Sequence, residues 1–155
     1  MTVHRREDIL ARVMEILEEV ATADTSIENV YRNRGAIEND KLPALMLLDG
    51  DETTRNTGEG RGRARMSSML TVLHPQVFIL IRNKKPKNED VGQLLNTYRG
   101  NIVKAIAADA QLLALVYPHG DIIYDGLETD LKNGMAMMGE MQLNFSISAV
   151  MNPNA

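Results

Sequence analysis

The chain of 155 residues contains no cysteine and no tryptophan, and it has only three histidines. The absence of cysteine excludes disulfide bonds, thiol nucleophiles and thiolate metal sites. The three histidines are His4, His74 and His119, and they share no spacing that a helix or a hairpin would turn into a metal site. We therefore expect neither a metal ion nor another cofactor.

The sequence also lacks a surplus of positive charge and a long apolar run. Its 17 Lys and Arg residues against 21 Asp and Glu residues give a net charge of -4, which is not the balance of a dedicated nucleic-acid binder. No apolar stretch approaches the roughly 20 residues that span a bilayer, and the charged N-terminus is unlike a signal peptide. We expect one domain over residues 1–155, made and used in the cytoplasm without a membrane partner.

Two main amphipathic helices are predicted from apolar residues at three- and four-residue steps. The first spans residues 5–20, with Ile9, Val13 and Leu17 on its apolar face. The second spans residues 88–108, and residues 109–115 add another turn or two of helix.

Several segments have the composition of strands. Residues 27–33 resemble a short edge strand, and residues 122–131 and 141–151 form a closing pair in which the last strand alternates apolar and polar side chains. Residues 42–48 and 77–81 are almost wholly apolar, which predicts strands buried on both faces. Because two helices cannot cover both faces, a neighbouring subunit is expected to supply the second cover.

Residues 51–68 carry alternating glycines and almost no apolar side chain, which predicts a long flexible loop at the tip of a hairpin. The charges of this region are balanced, acidic first and basic second: Asp49, Asp51, Glu52, Glu59, Arg55, Arg61, Arg63 and Arg65. This balance suits a solvated loop, protein contacts or self-association at least as well as nucleic acid. The predicted fold class is α+β: an antiparallel or mixed β-sheet with two main helices packed on one face and a long extended hairpin loop.

No set of residues in the sequence indicates catalysis. His74 and His119 could serve as a general base, but neither has a nucleophile in a recognisable strained turn, so we expect a strand-surface and a turn histidine. The glycines of residues 58–62 resemble a phosphate loop, yet a strand follows them where a nucleotide loop opens onto a helix. We expect a protein that is not an enzyme.

A cluster of methionines beside the last strand has two interpretations, core filling or an adaptable subunit interface. Together with the loop charges, it gives the predicted interface residues: Asp51, Glu52, Arg55, Glu59, Arg61, Arg63, Arg65, Met135, Met137 and Met138.

Over nearly its whole length the chain resembles a known family. The features are the opening helix, the strand Leu-Pro-Ala-Leu at residues 42–45 ending in Asp-Gly-Asp-Glu at 49–52, the long loop, Pro75-x-Val77, the helix over residues 91–106, and Met-x-Leu-x-Phe-x-Ile at 141–147. This order is similar to that of the tail terminator (tail completion, minor tail) proteins of long-tailed bacteriophages.

The resemblance implies a structural virion protein that forms a hexameric ring on the head-proximal end of the tail tube. Such a ring ends tube polymerisation and provides the surface for joining the head, while genomic DNA passes through its lumen without specific binding. The implied partners are the tail tube protein and a head–tail connector or neck protein, and the family brings no catalytic residues. Two alternatives stay open: a head completion or neck adaptor protein, and a small nucleic-acid-binding module using Arg61, Arg63 and Arg65.

Overall fold

The computed structural model describes residues 5–24, 26–56, 69–82, 89–132 and 138–151. The helices of this part are α1 (Arg5–Ala23), α2 (Glu89–Ala108) and α3 (Ala110–Val116), with a short 3-10 helix at Asn39–Lys41. Its strands are β1 (Asn29–Arg32), β2 (Ala44–Leu48), β3 (Glu52–Asn56), β4 (Met69–Leu73), β5 (Gln76–Arg82), β6 (Ile122–Lys132) and β7 (Met138–Met151). The mixed, largely antiparallel sheet with its helices confirms the predicted α+β class.

Local sequence patterns account for the three helices. The apolar stripe of α1 is buried, and Glu15, Glu18 and Glu19 lie on or beside its solvent side. The first helix therefore begins at the predicted residue and runs one turn longer than predicted. Asp109 separates α2 from α3 and caps the latter, because its carboxylate accepts the backbone N–H of Leu112 at 2.8 Å.

The sheet has the strand order β1-β2-β5-β7-β4-β3, and β6 pairs with β7 on the edge that β4 and β5 leave free. Only β1 and β2 are parallel; the other pairs are antiparallel. The predicted edge strand at residues 27–33 is confirmed as β1, and the predicted closing hairpin is confirmed as β6 and β7.

Strands β2 and β3 together form one long strand, and β4 and β5 together form another. These two long strands, each interrupted once, make a hairpin in the centre of the sheet. The register of β4 and β5 on β7 is continuous, from Met69 opposite Met151 to Arg82 opposite Met138. Pro75 lies at the interruption, where it can donate no N–H, but its carbonyl accepts the N–H of Phe145 at 3.1 Å. On the other side of this strand, β2 and β3 follow one another along the same line.

The helices cover one face of the sheet, and the core lies between the two layers. On β5, Val77, Ile79 and Ile81 are buried, whereas Phe78 and Leu80 between them are only half-buried. Within the described part of the chain, the second face of residues 77–81 is therefore only half-buried, and the cover expected from a neighbouring subunit stays a prediction. An apolar run does not reveal whether a second layer exists, because that layer must come from elsewhere in the sequence.

The prediction of a loop over residues 51–68 is wrong in part. Glu52–Asn56 is strand β3, and Thr54 lies opposite Thr71 of β4. The polar side chains of β3 need no core, since backbone pairing with β4 holds the strand while both of its faces meet solvent. The remaining residues, 57–68, lie outside the described part of the chain.

Candidate assembly interface

The predicted interface residues divide into three groups in the structure. Asp51 and Glu52 are described with their side chains, at the start of β3. Arg55 in β3 and Met138 at the beginning of β7 are described by their backbone alone. The others lie outside the described residues: Glu59, Arg61, Arg63, Arg65, Met135 and Met137.

The hairpin side of the predicted interface and its methionine side lie at opposite ends of β7. Met138, beside Met135 and Met137 in sequence, opens this strand of 14 residues. Arg55 pairs with Leu70, which in turn lies opposite Val150 near the other end. At about 3.3 Å per residue the two ends are about 40 Å apart. The structure therefore does not bring the two groups into one patch.

Gly50 sits where β2 passes into β3. Its φ is +74°, a conformation that glycine adopts without strain. The pairing shifts by one residue there, because Leu48 lies opposite Gln76 but Glu52 lies opposite Leu73. The N–H of His74 also donates to the carbonyl of Asp51 at 2.9 Å. This bulge lets the strand continue into the hairpin arm formed by β3 and β4.

A chain of side-chain hydrogen bonds crosses the sheet on the face away from the helices. His74 Nε2 lies 3.2 Å from Thr53 Oγ1, and Nδ1 lies 3.3 Å from Ser146 Oγ. Ser146 also donates to the carboxylate of Asp125 in β6. With that proton engaged, Ser146 Oγ is left to accept from Nδ1–H, and in the neutral ring this assigns Nε2 as the acceptor of the Thr53 hydroxyl proton. This series of hydrogen bonds fixes the imidazole and links β3, β7 and β6.

The face away from the helices, called here the open face, changes in character from one edge of the sheet to the other. One row of paired residues runs across it: Tyr31, Met46, Phe78, Gln142 and Glu128. Met46 and Phe78 are half-buried, while Glu128 is exposed. The open face is thus apolar over β2 and β5 and polar or acidic over β7 and β6.

A cleft that is open to solvent separates the beginning of α1 from the end of the sheet formed by β3, β4 and β7. Its cations are Arg5 and Arg6, and its anion is Glu52, whose Oε1 lies 4.0 Å from Arg6 Nη1. The remaining lining residues are largely apolar: Ile9, Thr71, Leu73, Ala149, Val150 and Met151. Of the sequence-predicted interface residues, Glu52 is the one that lines this cleft.

Two arginine-centred clusters hold α1 to its neighbours. Arg32 of β1 donates to both Glu7 and Asp49, and these bonds are the main reason that the pKa of each carboxyl is lowered. Arg12 makes two bonds to Asp109, at 2.9 and 2.6 Å, and likewise lowers the pKa of Asp109. Both clusters fix α1 in the helical layer. Neither Arg12 nor Arg32 lines the cleft, whose basic residues are Arg5 and Arg6.

Nothing in the sequence singles out Thr53 and Ser146, which lie within hydrogen-bonding distance of His74, or Thr71, which lines the cleft. Each has an ordinary position in an alternating strand, and only cross-strand pairing shows its neighbours. His119 is exposed in the turn after α3, as predicted, and His74 lies on the open face, as predicted for a strand-surface histidine. Among the described residues, no group of three or more His, Asp or Glu side chains could hold a metal ion.

No helix in the described part of the chain is long and apolar enough to cross a membrane. No protein-family model matches the sequence, and a search of curated proteins found no significant match.

Proposed function

We propose that this protein is a structural virion protein of the tail terminator type. In this proposal it forms a hexameric ring that caps the head-proximal end of a phage tail tube, ends polymerisation of the tube and offers a surface for joining the head. Genomic DNA passes through the ring without specific binding, and the protein catalyses no reaction.

The observation that carries the proposal is the separation of two hairpin ends along one strand. The pairing of β3 with β4 ends at Met69, opposite Met151 at one end of β7, and Lys132 of β6 lies opposite Met138 at the other end. A cap between a tube and a head needs two distinct contact surfaces facing opposite ways. A strand of 14 residues with a hairpin end at each extremity suits that requirement.

The open face supports subunit contacts in the same proposal. Met46, Leu48, Phe78 and Leu80 are half-buried on it, without a covering layer among the described residues. Apolar area of this kind is stabilised when a neighbouring molecule removes it from water. The face also differs between its two edges, as a ring built from head-to-tail contacts requires.

An early stop codon in the gene, in the phage that carries it, tests the proposal. Tail lengths in lysates are then measured by negative-stain electron microscopy. Overlong tubes without heads are the expected result, because nothing would end polymerisation. Normal virions would contradict the proposal.

The second candidate is a head completion or neck adaptor protein, which the same separation of contact surfaces also favours. It predicts tails of normal length without heads in the same experiment.

The third hypothesis, nucleic-acid binding through Arg61, Arg63 and Arg65, concerns residues outside the described part. It predicts salt-sensitive DNA binding, and flat titrations at low salt would exclude it.

A further inference from the structure

The cleft between α1 and the end of the sheet contains polar groups whose hydrogen-bonding capacity is unused. Thr71 is only 7% exposed, and its hydroxyl has no hydrogen-bond partner among the described residues. Nη1 of Arg6 is buried and likewise makes no hydrogen bond there, although Glu52 lies 4.0 Å away. A buried donor without an acceptor is destabilising, so such a pair indicates a place where a ligand supplies the acceptor.

The charge of the cleft selects the kind of acceptor. Arg5 and Arg6 outnumber Glu52, and a guanidinium binds a carboxylate more strongly than a neutral acceptor. Nη2 of Arg6 is held by the carbonyl of Gly50 at 3.1 Å, which orients the guanidinium and leaves Nη1 without an acceptor among the described residues. An incoming carboxylate would take the place that Glu52 approaches without reaching hydrogen-bonding distance.

We propose that this cleft binds an acidic segment of a partner protein. A carboxylate of the segment accepts hydrogen bonds from Arg6 Nη1 and the Thr71 hydroxyl, and an apolar side chain of the segment contacts the half-buried Met151. The proposal does not depend on the phage assignment, because it rests on the cleft alone.

Two peptides that differ in one charge test the proposal directly. The probes are fluorescein-labelled Leu-Val-Glu-Val-Leu and Leu-Val-Gln-Val-Leu, both amidated at the C-terminus, titrated with the full chain by fluorescence anisotropy at low salt. We expect the Glu peptide to bind about tenfold more tightly than the Gln peptide, because a charged hydrogen bond replaces a neutral one. Equal binding, or no saturable binding of the Glu peptide, would overturn the proposal.

Variants of the cleft separate this contact from a general effect on the fold. We expect Arg6→Met to weaken binding of the Glu peptide about tenfold and Glu52→Gln to strengthen it severalfold, because Glu52 competes for Arg6. Arg34→Met is the matched control, since Arg34 pairs with Glu38 at another edge of the sheet and should leave the affinity unchanged. A variant that merely unfolds cannot bind more tightly, so the gain in Glu52→Gln is the decisive sign; unchanged or weaker binding there would contradict the proposed contact.

Thr71→Val supplies an independent readout. Removing an unpartnered buried hydroxyl should raise the Tm by about 2–4 °C while weakening binding of the Glu peptide severalfold. A residue that serves only the fold would not show these opposite effects. Loss of stability, or unchanged peptide affinity, would show that Thr71 does not bind the ligand.

Discussion

The α-carbon of Gly50 packs directly against the backbone carbonyl of His74, and a Cβ at position 50 would lie 1.9 Å from that oxygen. This contact joins the two long strands of the central hairpin at the point where both are interrupted. It also explains why the residue must be glycine on two grounds, the positive φ of +74° and the lack of space. The hairpin arm proposed to make assembly contacts therefore depends on one backbone position.

Gly50→Ala should destabilise the protein by at least about 2 kcal/mol, because both strain and a backbone collision would be introduced. Urea denaturation followed by circular dichroism measures the effect. Gly35→Ala is the control, since a Cβ at position 35 meets nothing within 4 Å. Equal stabilities of the two variants would contradict the structure at this bulge.

A second prediction concerns the junction of α2 and α3. Asp109→Ala should cost about 1 kcal/mol through the lost helix cap, and more because Arg12 then loses its buried partner. Asp109→Asn should be milder, because asparagine also caps helices but lacks the charge. Thermal unfolding of the two variants measures their order, and an alanine variant as stable as the asparagine variant would refute the capping role.

The same carboxyl groups give a pH dependence. The pKa values of Asp49 and Asp109 are lowered, chiefly by hydrogen bonds from Arg32 and Arg12. A carboxyl whose pKa is lower in the folded state stabilises the fold above its unfolded pKa, and this contribution is lost as the pH falls through the folded pKa. The free energy of unfolding should therefore decline below about pH 5.

Urea denaturation over a series of pH values measures this decline. In the double variant Asp49→Asn, Asp109→Asn the decline should be shallower, because two of the responsible groups no longer titrate. An identical slope would assign the acid sensitivity to other carboxyl groups.

Two glycines should respond in opposite directions to alanine. Gly100 lies on the exposed side of α2, and a Cβ there meets nothing within 4 Å, so Gly100→Ala should stabilise the protein by about 1 kcal/mol. Gly139 of β7 faces α2, where a Cβ would lie 2.6 Å from Val91 Cγ1, so Gly139→Ala should destabilise it. Denaturation midpoints of both variants check the prediction, and a shared sign would be inconsistent with this packing.

The last prediction addresses the proposed function. Deleting residues 57–63 should leave the fold intact, because the deletion lies beyond the β3–β4 pairing, but it should abolish tail capping or head joining. Circular dichroism of the purified variant and complementation of the stop-codon phage measure the two effects. A folded variant with full activity would remove the hairpin tip from the assembly surface.

Much of the secondary structure could be predicted because it follows from local periodicity. The apolar steps in α1 and the alternation in β7 are visible within a few residues of the chain. Helix α1 begins and β7 ends at the predicted residue, and each runs three residues further than predicted at its other end. The candidate site could not be predicted from the sequence in the same way. The cleft combines Arg6, Glu52 and Thr71 from three separate elements, and no spacing in the sequence relates them.

The sequence by itself determined the α+β class, the two amphipathic helices and the inward face of the last strand, because burial repeats with the period of each element. Only the tertiary structure decided that β3 is a strand, since its polar residues are held by backbone pairing with β4 rather than by burial. It also decided that Phe78 lies on a face that the described helices do not cover and that Gly50 approaches His74. These are relationships between distant segments, and they follow from strand order and register, which no local pattern specifies.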